Sequence, residues 1–436
     1  MKWIITILFP LFSFGQNADW KELQSMIDTA VKYNGIVEVK RNYTIDFPLV
    51  AAKWDGKDYK QFTIQIIGYA TMWDVGQSSV IKAKFKDAPI LSIHKGKGCV
   101  VKGINFQGAG VNGRDSRFSP YCAVAIDPFR FNLPRDSGYT PLRSYYRGST
   151  SKGGSTGLRF EDCTFGEVVV GAITSPNGYT QNAEMITFQN IRIGNCKVGI
   201  AGCQPQEKMN RVINIGCWST CETLFGFNLY GETKPGNWVI DGVNIAGKVD
   251  NLVNRSSHGY FPLYINNVYA ESLLSIGHWQ SLVGDALTNA SINFRYPANG
   301  EPLSDFNLSG GGVSFVNCDM RYYIETKSVP ILVAGTGNTY SSAPHMIYGK
   351  GLLTDSNITR YTTFKEQDII ISQGRAVIQG VDKDMKKGDL ITFFKKGNWE
   401  FAGQGLVDSV GEGLFYVTSV SSTVAKGGVY GSGRLK

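Results

Sequence analysis

A chain of 436 residues with 51 glycines, 15 prolines and 18% charged residues is turn-rich and well supplied with apolar side chains, which excludes a disordered polymer and a long coiled coil. The net charge of +8 is spread along the chain, and no zinc-finger spacing, helix-turn-helix pattern or P-loop accompanies it, so no nucleic-acid partner is expected.

Lys2, the apolar run WIITILFPLFSF, and Ser13 and Gly15 ahead of Gln16 have the layout of a secretory signal peptide over residues 1–15. The run is too short for a membrane span and no other stretch approaches one. Export to the exterior or cell surface is the expectation, with a buried strand or a virion anchor as the alternatives. Residues 16–35 then read as one amphipathic helix. In DWKELQSMIDTAVKYNG, Asp19 is the expected N-cap, Glu22 its capping-box partner and Gly35 the stop, with Leu23, Met26, Ile27, Ala30 and Val31 on one face.

Beyond the helix one phrase recurs. FEDCTF from Phe160 returns as FQNIRI from Phe188, IDGVNI from Ile240, INNVYA from Ile265 and FVNCDM from Phe315, with further starts at Val101, Ile213 and Ile292. From Phe160 onward the starts are 23 to 28 residues apart. Such a period, made of short alternating runs rich in Ile, Val, Phe and Thr and cut by Gly, Asn and Asp, predicts a solenoid whose units bury their apolar faces by stacking. Each coil is expected to hold three strands: MITFQ, a bend at Asn190, IRI, and KVGIAG after Gly194-Asn195. The fold predicted over 36–360 is therefore all-β, a right-handed parallel β-helix with coils about 4.8 Å apart. The N-terminal helix closes its first edge.

Between Val101 and Phe160 the rhythm fails, which predicts an insertion over about 108–157. It carries Arg114, Arg117, Arg130, Arg135, Arg143 and Arg147 among Tyr139, Tyr145 and Tyr146, and serves either a ligand or simply as cover. From 361 to 436 the period is lost, and DMKKGDLITFF and GEGLFYVTSVSS suggest a small C-terminal β module. Of eight cysteines, Cys163 and Cys318 occupy phrase positions held elsewhere by Ile191 and Val243, so they read as small buried hydrophobes. Disulfides Cys217–Cys221 or Cys196–Cys203 stay open.

From Asp19 to Leu353 the chain resembles the pectate-lyase-like superfamily of β-helix proteins, above all in DWKELQSMIDTAVKYNGIVEVKRNYTID. Asn42 stands where the family usually has a glycine before the tyrosine. The resemblance implies an extracellular carbohydrate partner, since the superfamily holds polysaccharide lyases, glycoside hydrolases and phage tailspikes; it implies no particular reaction. The galacturonan-hydrolase motifs are missing: no adjacent Asp pair occurs, only Ser257-His258-Gly259 and Arg192-Ile193-Gly194. No cluster for calcium, the one cofactor considered, can be drawn.

In this fold the ligand groove runs along one sheet, here expected to be that of the third strands. Alternation then turns Lys197, Asn228, Tyr230, Arg321, Tyr323 and Glu325 outward, with Arg255, His258 and His278 at strand ends and Trp279 beside the last. Lyase chemistry needs a base and a positive charge, which Lys197, Arg255, His258, His278, Arg321 and Tyr323 offer. Hydrolysis needs two carboxyls, for which Glu184 and Glu207, in the same turn of successive coils, are the first pair; Asp127, Glu271 and Glu325 are further candidates. Lys197, Asn228, Tyr230, Trp279 and Tyr323 are the candidate substrate binders, the aromatic ones by stacking on sugar rings. The leading expectation is a secreted enzyme acting on an acidic polysaccharide, as lyase or hydrolase. The alternative is a tail-associated protein that recognises a surface glycan, as a homotrimer, with or without depolymerase activity.

Overall fold

Each repeated phrase is two short strands meeting at a left-handed residue. In Thr187–Ile193 that residue is Asn190, at φ 52°. The equivalent rungs are Gly103, Asp162, Asn214, Gly242, Asn267 and Asn289, all at positive φ. Only Gly, Asn and Asp enter this region at little cost, so the third letter of the phrase is fixed by backbone geometry. The computed structural model describes residues 18–332 apart from 56–58, 73–78, 116–119, 129–153, 177–182, 204–206, 228, 231–235, 256–260, 280–284, 296–312 and 325–326, and short stretches between 345 and 435. The expected signal peptide lies outside the described residues, as does the boundary expected near 361.

The apolar letters of the phrase stack in parallel register. Val101 pairs with Phe160, then Phe188, Val212, Ile240, Ile265 and Leu287 follow coil by coil. All are buried. Phe188 lies between Phe160, whose ring centroid is 5.1 Å away, and Trp238, at 6.4 Å, both stacked nearly parallel to it. A third set of strands runs parallel along the same axis, from Leu49–Trp54 through Leu91–His94, Cys122–Ile126, Val168–Thr174, Cys196–Gly202 and Thr220–Phe227 to Lys248–Arg255. These parallel faces enclose one apolar core, and the architecture is a parallel β-helix. Val313–Ile324 ends the run by pairing antiparallel with Lys327–Leu332.

The helix Ala18–Tyr33 buries Trp20, Leu23, Gln24, Ile27, Ala30 and Val31 against the first coil. Gln24 completes that edge: its Nε2 donates to Val50 O at 2.8 Å and its Oε1 accepts from Val50 N at 2.9 Å, as a neighbouring strand would. The helix starts one residue before the expected N-cap, and the Asp19 carboxylate accepts from Thr44 N and pairs with Arg41. Its stop is shared between Asn34, the left-handed residue, and Gly35, whose N–H reaches Ala30 O at 2.8 Å. Asn42 acts through its side chain, accepting from Val80 N at 3.0 Å.

The expected single insertion is two excursions from one coil. Val101 and Phe160 are direct neighbours, and Cys122–Ile126, a full third strand, sits between them in sequence. No left-handed rung falls within that strand, so it leaves no copy of the phrase in the sequence. Of the basic and tyrosine-rich residues there, Arg114 is described, while Arg117, Arg130, Arg135, Tyr139, Arg143, Tyr145, Tyr146 and Arg147 lie outside the described residues. Asp127 closes the root of the second excursion: buried, it accepts from Lys95 N at 2.8 Å and from Ser155 N and Oγ at 2.5 and 3.0 Å.

Burial pushes the Asp127 carboxyl up to about 6, against those hydrogen bonds and Lys95, which pull it down. A raised acid stabilises the fold fully below its unfolded value near 4 and loses that contribution as pH rises through about 6. Unfolding free energies measured at pH 4 and pH 7 should therefore show the wild type losing up to about 2–3 kcal/mol relative to Asp127→Asn. A difference independent of pH would contradict this.

In the C-terminal part, strands from Ile369 to Leu435 form a separate six-stranded antiparallel sheet. All eight cysteines are buried and outside any disulfide, including both pairs left open above. Thiol titration should accordingly find no reactive group in the native protein and eight after unfolding; six or fewer would mean a disulfide.

Candidate functional site

The third sheet is not an open floor. Cys122–Ile126 and Val168–Thr174 are buried at every residue, and Thr220–Phe227 from Thr223 onward. A parallel strand covered on both faces loses the in–out alternation on which the outward assignments rested. The orientations of four candidates are corrected accordingly. Glu207 is 0% exposed: its Oε1 accepts from Cys203 N at 3.0 Å and from Thr174 Oγ1, its Oε2 from Trp238 Nε1 at 2.9 Å. Arg255 is 1% exposed and Trp279 0%, and both bond to buried Asp285, through Arg255 Nη1 and through Trp279 Nε1 at 2.6 Å. Burial pulls the Arg255 guanidinium below its usual value while Asp285 opposes the shift. Tyr230 is 6% exposed, with its hydroxyl donating to Asp115 at 3.2 Å and its phenol pushed up by burial.

Lys197 meets the same Asp115, donating from Nζ at 2.9 Å, a bond that raises the lysine's pKa. The first excursion is thereby clamped over the third sheet, and it brings two of the expected substrate binders together as a structural joint. Glu184 is half-buried, in a turn whose backbone pairs with Ser155 and Gly157 at 3.2 and 3.0 Å. With Glu207 enclosed, the two glutamates do not share an open groove. Asn228, His258 and Glu325 lie outside the described residues. His278, Arg321 and Tyr323 sit on described strands, Leu263–Trp279 and Val313–Ile324, but their side chains lie outside the description.

An open cleft of about 420 Å³ lies elsewhere, along the left-handed rungs. Asp162, Asn190, Asn214, Gly242 and Asn267 mark successive coils of it, four steps or about 19 Å. The next sheet adds Asn244 and Tyr269, and Thr71 and Met72 reach over from an earlier coil. The amides are ordered by one another: Asn190 Nδ2 donates to Asp162 at 3.0 Å and Asn214 Nδ2 to Asn190 at 3.2 Å. The ladder is interrupted at Gly242, where a Cβ would come within 2.5 Å of Asn214 Oδ1. It resumes where Asp241 accepts from Asn266 and Asn267 at 3.0 and 2.7 Å.

The result is a row of fixed groups, each amide holding donors and an acceptor, beside apolar Ile215, Val243 and Met72 and the 46%-exposed ring of Tyr269. Sequence reading treated the third letter of the phrase as bend chemistry alone. Its recurrence once per coil was the available signal, because a repeated polar letter in a solenoid becomes a line on the surface. Among the described residues no group of three or more His, Cys, Asp or Glu is placed to hold a metal, and no helix is long and apolar enough to cross a membrane.

No protein-family model matches the chain, and no curated protein does. Among solved structures, it is similar to the enzymatically active domain of bacteriophage CBA120 tailspike protein 2, at 9% identity and a TM-score of 0.35, over 94% of this chain and 67% of that one. It is also similar to ORF18 of Geobacillus virus E2, at 9% identity and a TM-score of 0.31, over 95% and 72%. Neither superposition carries an inference about activity.

Proposed function

We propose that this β-helix protein binds a glycan in the cleft along its left-handed rungs, and that it recognises the glycan rather than cleaving it. The carrying observation is the cleft itself: preordered amides and one carboxylate facing an exposed tyrosine ring, a lining suited to hydroxyl groups on one side and a sugar face on the other. Hydrolysis would need two carboxyls about 5–10 Å apart, and Asp162 is the one carboxylate among the described lining residues. A lyase would need a base and a cation there, and the described lining has neither Lys, Arg nor His. Eight buried cysteines outside any disulfide favour folding in a reducing compartment, as a tail-associated protein assembled inside a cell would, over export.

Titration calorimetry against a panel of oligosaccharides tests this. Gly242→Asn keeps a residue type that the neighbouring rungs already hold at positive φ, yet its Cβ would displace the Asn214 side chain from the ladder, so it should retain the circular dichroism of the β-helix and abolish binding. Tyr269→Ala should weaken binding by about tenfold through lost stacking. A panel in which nothing binds, or binding that Gly242→Asn leaves intact, would contradict the reading.

A further inference from the structure

Charge around the cleft decides what kind of glycan it takes. Asp162 is in the lining, and two further carboxylates bond to lining residues: Asp241 accepts from Asn267 at 2.7 Å and Glu271 from the Tyr269 hydroxyl at 3.4 Å. The neighbouring cations lie outside the described lining. Lys102 Nζ sits 3.6 Å from Glu161 and 3.7 Å from Asp162, and Arg159 pairs with Glu161. Arg192 lies over the ring of Trp218, 5.1 Å from its centre.

Resting on the cleft being the glycan site, we infer that it selects neutral glycans and rejects acidic ones, contrary to the acidic polysaccharide that the sequence suggested. A uronate or sialate carboxylate in the cleft would lose water, would meet no Lys, Arg or His among the described lining residues, and would face Asp162 as a like charge. The overall charge of +8 pulls the other way, but it is distributed over the whole chain and screened beyond about 8 Å at physiological salt. At contact distance the local carboxylates outweigh it. Neutral rings need only the amide donors and acceptors and the tyrosine face.

The matched probe is an oligogalacturonate and its carboxyl-reduced form, titrated beside cello-, manno- and chito-oligosaccharides against the full chain and Gly242→Asn. The expected result is binding of at least one neutral probe, lost in Gly242→Asn, with the reduced form bound about tenfold or more tighter than its acidic parent. Tighter binding of the acidic form, also lost in Gly242→Asn, would overturn the neutral preference while leaving the cleft as the site. No Gly242-dependent binding of any probe would overturn the site, and the preference with it.

Discussion

Replacing Asp285 with alanine should cost about 3–5 kcal/mol of stability, the largest effect expected of any single polar substitution described above. Asp285 is fully buried and is the hub of a closed network: it takes Arg255 Nη1, Trp279 Nε1 at 2.6 Å and Leu263 N at 2.8 Å. Arg255 Nη2 is held by Phe261 O at 2.9 Å, so the guanidinium has no route to water. Alanine would leave a buried cation without its counter-charge and two buried donors without an acceptor. The pair as a unit is worth much less than either half alone suggests, because desolvation offsets most of the attraction. Double replacement Arg255→Met with Asp285→Leu should therefore recover the part of the loss that comes from the uncompensated charge, while Trp279 Nε1 and Leu263 N still lack an acceptor. Denaturant unfolding of wild type, single and double variants reads this directly; a single variant within about 1 kcal/mol of wild type would refute the hub.

Phe188→Ala should cost about 3–5 kcal/mol through the cavity it opens, whereas Phe188→Leu should cost less than about 1.5. The ring is fully buried between Phe160 and Trp238, one coil below and two coils above. Side chains in a solenoid pack only against those of the coils close above and below, so a cavity there cannot be filled by material from elsewhere in the core. The same unfolding measurement applies, and near-equal costs for the two variants would show that the stack is looser than its centroid distances imply.

The coil repeat was legible because two demands coincide in one phrase: Phe188 and Ile191 must point inward, and Asn190 between them must be left-handed. Residues under both constraints leave a periodic trace in sequence. The third strands leave a weaker one. Val168–Thr174 is buried on both faces, so its side chains show no alternation; Tyr230, assigned outward by alternation, is held by Asp115, 115 residues away, while Arg255 and Trp279, expected at or beside strand ends, are enclosed around Asp285. Glu207 misled for a related reason. Its turn looked exposed, but Trp238, 31 residues on, folds over it. The cleft itself was written in the sequence as Asp162, Asn190, Asn214, Gly242 and Asn267. Local chemistry explains why each of them bends the chain; only the stacking of coils shows that they form a line.

The position of a bound sugar tests the cleft most directly. A crystal structure of the protein soaked with its tightest-binding oligosaccharide should show sugar rings running across the coils beside Asn190, Asn214 and Asn244, with one ring against Tyr269. Density over the strands from Val168 to Arg255, or at any position away from the rungs, would contradict it.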